Sequence, residues 1–194
     1  ELGAYKESLE YAATALSLLE RHGGNPIQKS LIYQQMGVVY EYRGEPQRML
    51  DCVLSADSLL RKLSSVNPML RTQNRSNFAR SYAALGDSLL ADSLYLSIIA
   101  ELETQDDPET AVELCNILHN YGILLHRWSR IPEAEASLQR AARIGFPLVD
   151  SHPNAAYTLT HVYNGLLSLH LDRKEYDLAR KSFDTIQTFF APLL

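Results

Sequence analysis

The chain has 194 residues, of which 46% are hydrophobic and 21% charged, a composition typical of a folded protein with a sizeable buried core. Its formal net charge is −5, which argues against the general phosphate-binding surface that nucleic acids require. No run of about 18 apolar residues is present and nothing at the N-terminus resembles a signal peptide, so this segment is predicted to contact neither nucleic acid nor membrane.

Prolines that follow polar breaks divide the chain into similar segments. Each proline precedes a stretch with helical apolar periodicity, then a short inner break and a second helical stretch, and no alternating strand pattern competes. The prolines are Pro26, Pro68, Pro108 and Pro153, at spacings of 42, 40 and 45 residues. The prediction is a half repeat at 1–24 followed by four helical hairpins, at 25–66, 67–106, 107–146 and 147–194.

Small residues recur at matching positions of these segments. In the first helices they are Gly37, Ala79 and Gly122, and in the second helices Ala91, Ala134 and Ala179. A small residue lets two helix backbones approach closely, so each position is predicted to mark a helix crossing. Two cysteines, Cys52 and Cys115, stand in neither a CxxC nor a metal-binding spacing and are interpreted as small buried apolar residues.

The motifs resemble the tetratricopeptide repeat, in a long-period form of about 42 residues that is typical of bacterial arrays. The matching stretches are "YQQMGVVYEYRGE" (33–45), "NFARSYAALGDSLLADSLY" (77–95), "NYGILLHRWSRIPEAEASLQRAA" (120–142) and "EYDLARKSF" (175–183). The stretch 2–16 resembles the end of a first helix followed by its second helix. The resemblance implies an all-α fold, a right-handed α-solenoid of antiparallel helical hairpins (a superhelix), with helices longer than the usual repeat of about 34 residues allows.

The two ends of the chain bear on the extent of the array. Glu1 falls in the middle of the repeat pattern, and the last residues, "TFFAPLL", are apolar where a terminal cap is expected to be polar. We therefore expect a fragment of a longer protein, or an array whose end is covered by a partner.

In arrays of this family the first helices line the concave face, and a row of amide side chains is predicted there. The row consists of Gln35, Asn77 and Asn120 at one equivalent position and Asn164 near the same position in the last hairpin, at spacings of 42, 43 and 44 residues. A primary amide both donates and accepts hydrogen bonds and so matches a peptide unit. The alternative is that these amides bond to a neighbouring helix or to solvent.

Other residues are predicted to share this partner-binding face: Gln34, Tyr42, Arg80, Asn116, His119, Ile123, His126, Arg127 and His161. Arg80 and Arg127 could clamp a carboxylate through paired hydrogen bonds; alternatively, each could form a salt bridge within the array or lie on a solvated face. The full Lys/Asn clamp of carboxylate-binding family members is absent.

No metal site, cofactor site or catalytic site is predicted. His119 and His126 are seven residues apart, about 10 Å along a helix, which is too far for one metal ion, although His161 could approach from the next hairpin. The expected function is a protein–protein interaction scaffold that binds a peptide, a helix or a neighbouring domain in the concave groove, and not an enzyme. The alternative is a sensor or regulatory segment of a bacterial signalling or transcription-regulator protein.

Overall fold

The computed structural model describes residues 2–152 and 154–190, and that part of the chain is helical with no strand, which confirms the all-α prediction. A short 3₁₀ helix, Phe146–Leu148, and a π-helical turn, Ile186–Phe190, accompany the α-helices. The α-helices of the described residues are α1 Leu2–Arg21, α2 Pro26–Tyr42, α3 Pro46–Arg61, α4 Pro68–Ala84, α5 Ser88–Leu102, α6 Pro108–Arg127, α7 Ile131–Gly145, α8 Ala155–Asp172 and α9 Tyr176–Thr185.

Three first helices begin in the same way, with a capping side chain followed by proline. Asn25 and Asn67 accept backbone hydrogen bonds two residues on, at 2.8 and 2.9 Å, and Asp107 accepts one from Thr110 at 2.9 Å. The hydrogen bonds from Thr110 also lower the pKa of Asp107. The proline that follows each cap lacks an N–H, which costs nothing in the first turn of a helix. Pro153, predicted to play the same part, lies outside the described residues.

Four turns join the first and second helices of the hairpins and share one backbone geometry. The N–H after the central residue bonds to the carbonyl five residues earlier, at 2.8–2.9 Å in each turn, as in a Schellman motif. The central residues have φ between 59° and 91°, in the left-handed region, and are Gly44, Gly86, Ser129 and Lys174. These turns therefore give one register that can be compared between hairpins.

The predicted small residues occupy equivalent positions in this register. Ala91, Ala134 and Ala179 each lie five residues after the central turn residue and are buried. Met49 holds the same position in the α2–α3 hairpin and is also fully buried. The residues seven positions before the central turn residue are also small and buried in three hairpins, Gly37, Ala79 and Gly122. In α8 the residue at this position is Leu167.

The chain divides into two compact units, Glu1–Leu96 and Ser97–Leu194. In unit 1, α1 packs on α2, and α2 packs on both α3 and α4. Helix α3 also packs on α4 and supplies the fully buried side chains of Met49, Val53 and Leu60. Helix α2 thus contacts both its own second helix and the first helix that follows.

Unit 2 repeats this order of contacts, because α6 packs on α7 and α8, α7 on α8, and α8 on α9. Leu138 of α7 is fully buried between two glycines of first helices. A Cβ on Gly122 would lie 2.8 Å from Leu138 Cγ, and a Cβ on Gly165 would lie 3.0 Å from Leu138 Cδ2. These two glycines allow α6 and α8 to approach α7 from either side.

Helix α1 corrects one prediction. The stretch 2–16 forms part of a single helix, Leu2–Arg21, and not the end of one helix followed by another. Gly3 lies in its first turn and no proline or left-handed residue interrupts the helix before Gly23, so nothing breaks the hydrogen-bond ladder there. None of the described helices combines the length and the apolar character that a bilayer crossing requires.

Candidate partner-binding face

The amides of the first three hairpins occupy one position in the turn register. Gln35, Asn77 and Asn120 each lie nine residues before the central residue of their turn. Gln35 is exposed, and the two asparagines are half-buried. Unit 1 carries the first two amides and unit 2 carries the third.

The fourth amide is not in register, which corrects the predicted row. The residue nine before Lys174 is Gly165, which is buried, and Asn164 is exposed one position earlier. Counting forward from Gly122 misplaces this position because the connection between α7 and α8 is longer and contains the 3₁₀ helix Phe146–Leu148.

The prediction that Gln34 lies on the exposed partner-binding face is also wrong, because its side chain is buried with only 6% of its surface exposed. Its Nε2 has no hydrogen-bond partner among the described residues. A surface role in partner binding is therefore contradicted. The residue lies next to Gln35, and the boundary between the buried and exposed faces of α2 runs between the two.

Arg80 links two first helices of unit 1. Its guanidinium contacts the carboxylate of Glu41 on α2 through Nη2 and Oε2, and Nε donates to Oε1 at 3.4 Å. Nη1 also donates to Asn77 Oδ1 at 3.3 Å. The salt bridge within the array, one of the alternatives for Arg80, is thus the arrangement observed.

Tyr42 is the last residue of α2 in unit 1. It is 71% exposed, and its ring stacks on that of Tyr5 in α1, with centroids 6.1 Å apart and planes 4° apart. One ring face is therefore occupied, and most of the side chain is open to solvent.

In unit 2 the predicted residues of α6 and α8 lie on adjoining stripes. The rings of His119 and His161 are 6.0 Å apart, so the predicted approach of His161 from the next hairpin is confirmed. Tyr157, which sequence reasoning missed, meets His161 edge-on at 4.6 Å. We call this surface the unit 2 face: Asn116, His119, Asn120, Ile123, Tyr157, His161 and Asn164.

The ends of α6 and α8 carry the remaining predicted residues. His126 Nε2 lies 3.2 Å from Asp172 Oδ2, so these two side chains can form an ion pair when the imidazole is protonated. Arg127 is exposed at the last position of α6.

A second residue that sequence reasoning missed is Glu113, one turn before Asn116 on α6. Its carboxyl group is buried, and burial raises its pKa to about 7, opposed only partly by a hydrogen bond with Asn116. Its Oε1 has no hydrogen-bond partner among the described residues. The sequence signal was a carboxylate inside the apolar stretch "AVELC".

Both cysteines are buried, as predicted. The Cys115 thiol donates to the Ala141 carbonyl at 3.3 Å, and burial raises its pKa to about 12. Burial likewise raises the pKa of Cys52 to about 11, so both thiols stay protonated at neutral pH and are poor nucleophiles.

No group of three or more His, Cys, Asp or Glu side chains suited to a metal ion occurs in the part of the chain that the structure describes. Comparison with protein-family models gave no match, and comparison with curated proteins found no relative.

Proposed function

We propose that this chain is an interaction scaffold of the tetratricopeptide type, which holds a protein or peptide along the exposed residues of its first helices. The observation that carries the proposal is the shared position of Gln35, Asn77 and Asn120, nine residues before three turns of the same geometry. Each amide lies on a first helix and retains exposed surface. Repeated placement of a donor and an acceptor suits the repeated peptide units of a bound chain.

The packing order supports the same proposal. In each unit the first helices contact each other, α2 with α4 and α6 with α8, so we expect their outward side chains to form a continuous surface within that unit. We extend this to a right-handed α-solenoid in which the first helices line one groove. The regulatory role in a bacterial signalling protein stays a prediction.

The test is capture of binding partners by the chain and by an Asn77→Ala/Asn120→Ala variant that retains its helical circular dichroism. A matched control is Gln47→Ala/Gln139→Ala, which removes two exposed amides from second helices. We expect partners to be lost with the first variant and kept with the control, because only the first removes amides from the proposed groove. Retention of the same partners by the asparagine variant would overturn the proposed binding face.

A further inference from the structure

The unit 2 face lies on stretches of α6 and α8 that contain no charged side chain, and Glu113, whose buried carboxyl group hydrogen-bonds to Asn116, comes just before the α6 stretch. Helix α6 has no Lys, Arg, Asp or Glu from Leu114 to His126, and α8 has none from Ala155 to Leu171. At the ends of these stretches, His126 lies against Asp172. Arg127 is the exposed cation nearest to Asn120 along α6, seven residues or about two turns away.

An uncharged surface of this kind selects against charged ligands. A charged side chain buried against it would lose hydration without gaining an ionic partner, which costs binding free energy. A ligand that presents neutral polar groups and apolar rings would lose little and could hydrogen-bond to the amides.

Aromatic rings form a row across the junction of α6 and α8. Tyr157 is 59% exposed and meets His161 edge-on, and His161 in turn lies 6.0 Å from His119. Exposed aromatic side chains at a helix junction are the residues that most often anchor a partner, because they bury a large area with few lost rotamers. The amides of Asn120 and Asn164 lie within one turn of the two imidazoles on the same helices.

Building on the proposed function, we propose that the unit 2 face binds an uncharged, extended peptide segment. A proline or aromatic side chain of the ligand packs on the row formed by Tyr157, His161 and His119, and Asn120 and Asn164 bond to the ligand backbone. The ligand is extended and not helical because a helix satisfies its own N–H and C=O groups, whereas an extended segment leaves them free for amides.

The experiment is selection of a random heptapeptide library on the intact chain. We expect the selected peptides to be rich in proline and aromatic residues and poor in charged ones. Their affinity should change less than about twofold between about 50 mM and about 500 mM salt, because screening acts on charges.

Variants then test where on the chain the selected peptides bind. Tyr157→Ala and Asn164→Ala should each weaken binding by about tenfold, the loss typical of an anchor residue. Tyr176→Ala is the matched control, because Tyr176 is 65% exposed on α9, and it should leave affinity unchanged. His161→Phe should bind more tightly than His161→Ala, because it keeps an aromatic ring.

Three results would overturn the inference. Selection of charged peptides whose affinity falls with salt and with Asn164→Ala would contradict the uncharged ligand but leave the proposed scaffold standing. Uncharged peptides that bind equally well to all unit 2 variants would contradict the unit 2 face. Absence of selected peptides would contradict an extended-peptide ligand, and the partner capture with Asn77→Ala/Asn120→Ala would then decide the proposed function separately.

Discussion

Gly122 and Gly37 hold the same position in two hairpins but differ in the space around them. A Cβ on Gly122 would lie 2.8 Å from Leu138 Cγ and 3.3 Å from the Ala134 carbonyl oxygen, whereas a Cβ on Gly37 would have no heavy atom nearer than 3.7 Å. Met49 stands where the other hairpin has Ala134, and the Met49 carbonyl oxygen would lie 3.7 Å from a Cβ on Gly37.

We therefore expect opposite effects from the same substitution. Gly37→Ala should raise the free energy of unfolding by up to about 1 kcal/mol, through better helix propensity. Gly122→Ala should lower it by about 1–3 kcal/mol through overpacking, and Gly122→Leu should lower it further. Urea denaturation measures both, and equal effects at the two sites would contradict the difference in packing.

Glu113 should make stability depend on pH. Its pKa is about 7 in the folded chain and about 4.3 in the unfolded chain, so the folded state binds the proton more tightly. Stability is then greatest below about pH 4.3 and declines as pH rises to about 7, by up to about 3 kcal/mol from this group. Thermal melts across this range should show a loss in the wild type that Glu113→Gln removes. Glu109→Gln, an exposed glutamate on the same helix, should keep the wild-type dependence.

The burial and the hydrogen-bond partners of individual side chains could not be predicted from the sequence. Gln34 and Gln35 are adjacent, and only the packed structure shows that the first is buried and the second exposed. The partner of Arg80 is Glu41, 39 residues away on another helix, and its identity depends on how α2 and α4 pack. The residue type at these sites indicated which hydrogen bonds a side chain can form, whereas the actual partner depends on which residues pack beside it in the fold.

At the scale of helices and turns, local signals were sufficient to predict the helix starts at Pro26, Pro68 and Pro108. Capping residues and prolines act within a few residues of the helix ends they define, so these starts could be predicted from the sequence directly. The position of α8 relative to the other first helices could not be predicted in this way, because it depends on the length of the connection after α7. In α1, Gly3 resembles the glycine of the repeat motif, but it lies inside a continuous helix and no turn follows it.

Two of the turns place a residue with a side chain in the left-handed region that Gly44 and Gly86 occupy elsewhere. Ser129 and Lys174 both have φ of 59°. A left-handed conformation costs such residues about 1–2 kcal/mol, and glycine avoids most of this cost. We expect Ser129→Gly to raise the free energy of unfolding by about 1 kcal/mol in urea denaturation. Ser129→Ala is the control and should not stabilise the chain, because alanine keeps the Cβ.

At the scale of the whole molecule, the described contacts join helices that are adjacent in the chain or separated by one helix. In proteins built in this way, stability is close to a sum of local terms and nearest-neighbour terms, so damage in one place spreads over a limited distance. The two compact units express the same property, since each contains its own core.

Gly122→Leu offers a direct test of this locality. The substitution forces a larger side chain against Leu138, so opening should become easier in the helices that meet there, α6, α7 and α8. Amide hydrogen exchange should show a large loss of protection in these three helices and a much smaller one in α2 and α3, which lie in unit 1. Gly37→Ala is the control and should leave protection in unit 2 unchanged. An equal loss of protection in all five helices would show that the chain opens as one cooperative body, and stability could then not be treated as a sum of neighbouring terms.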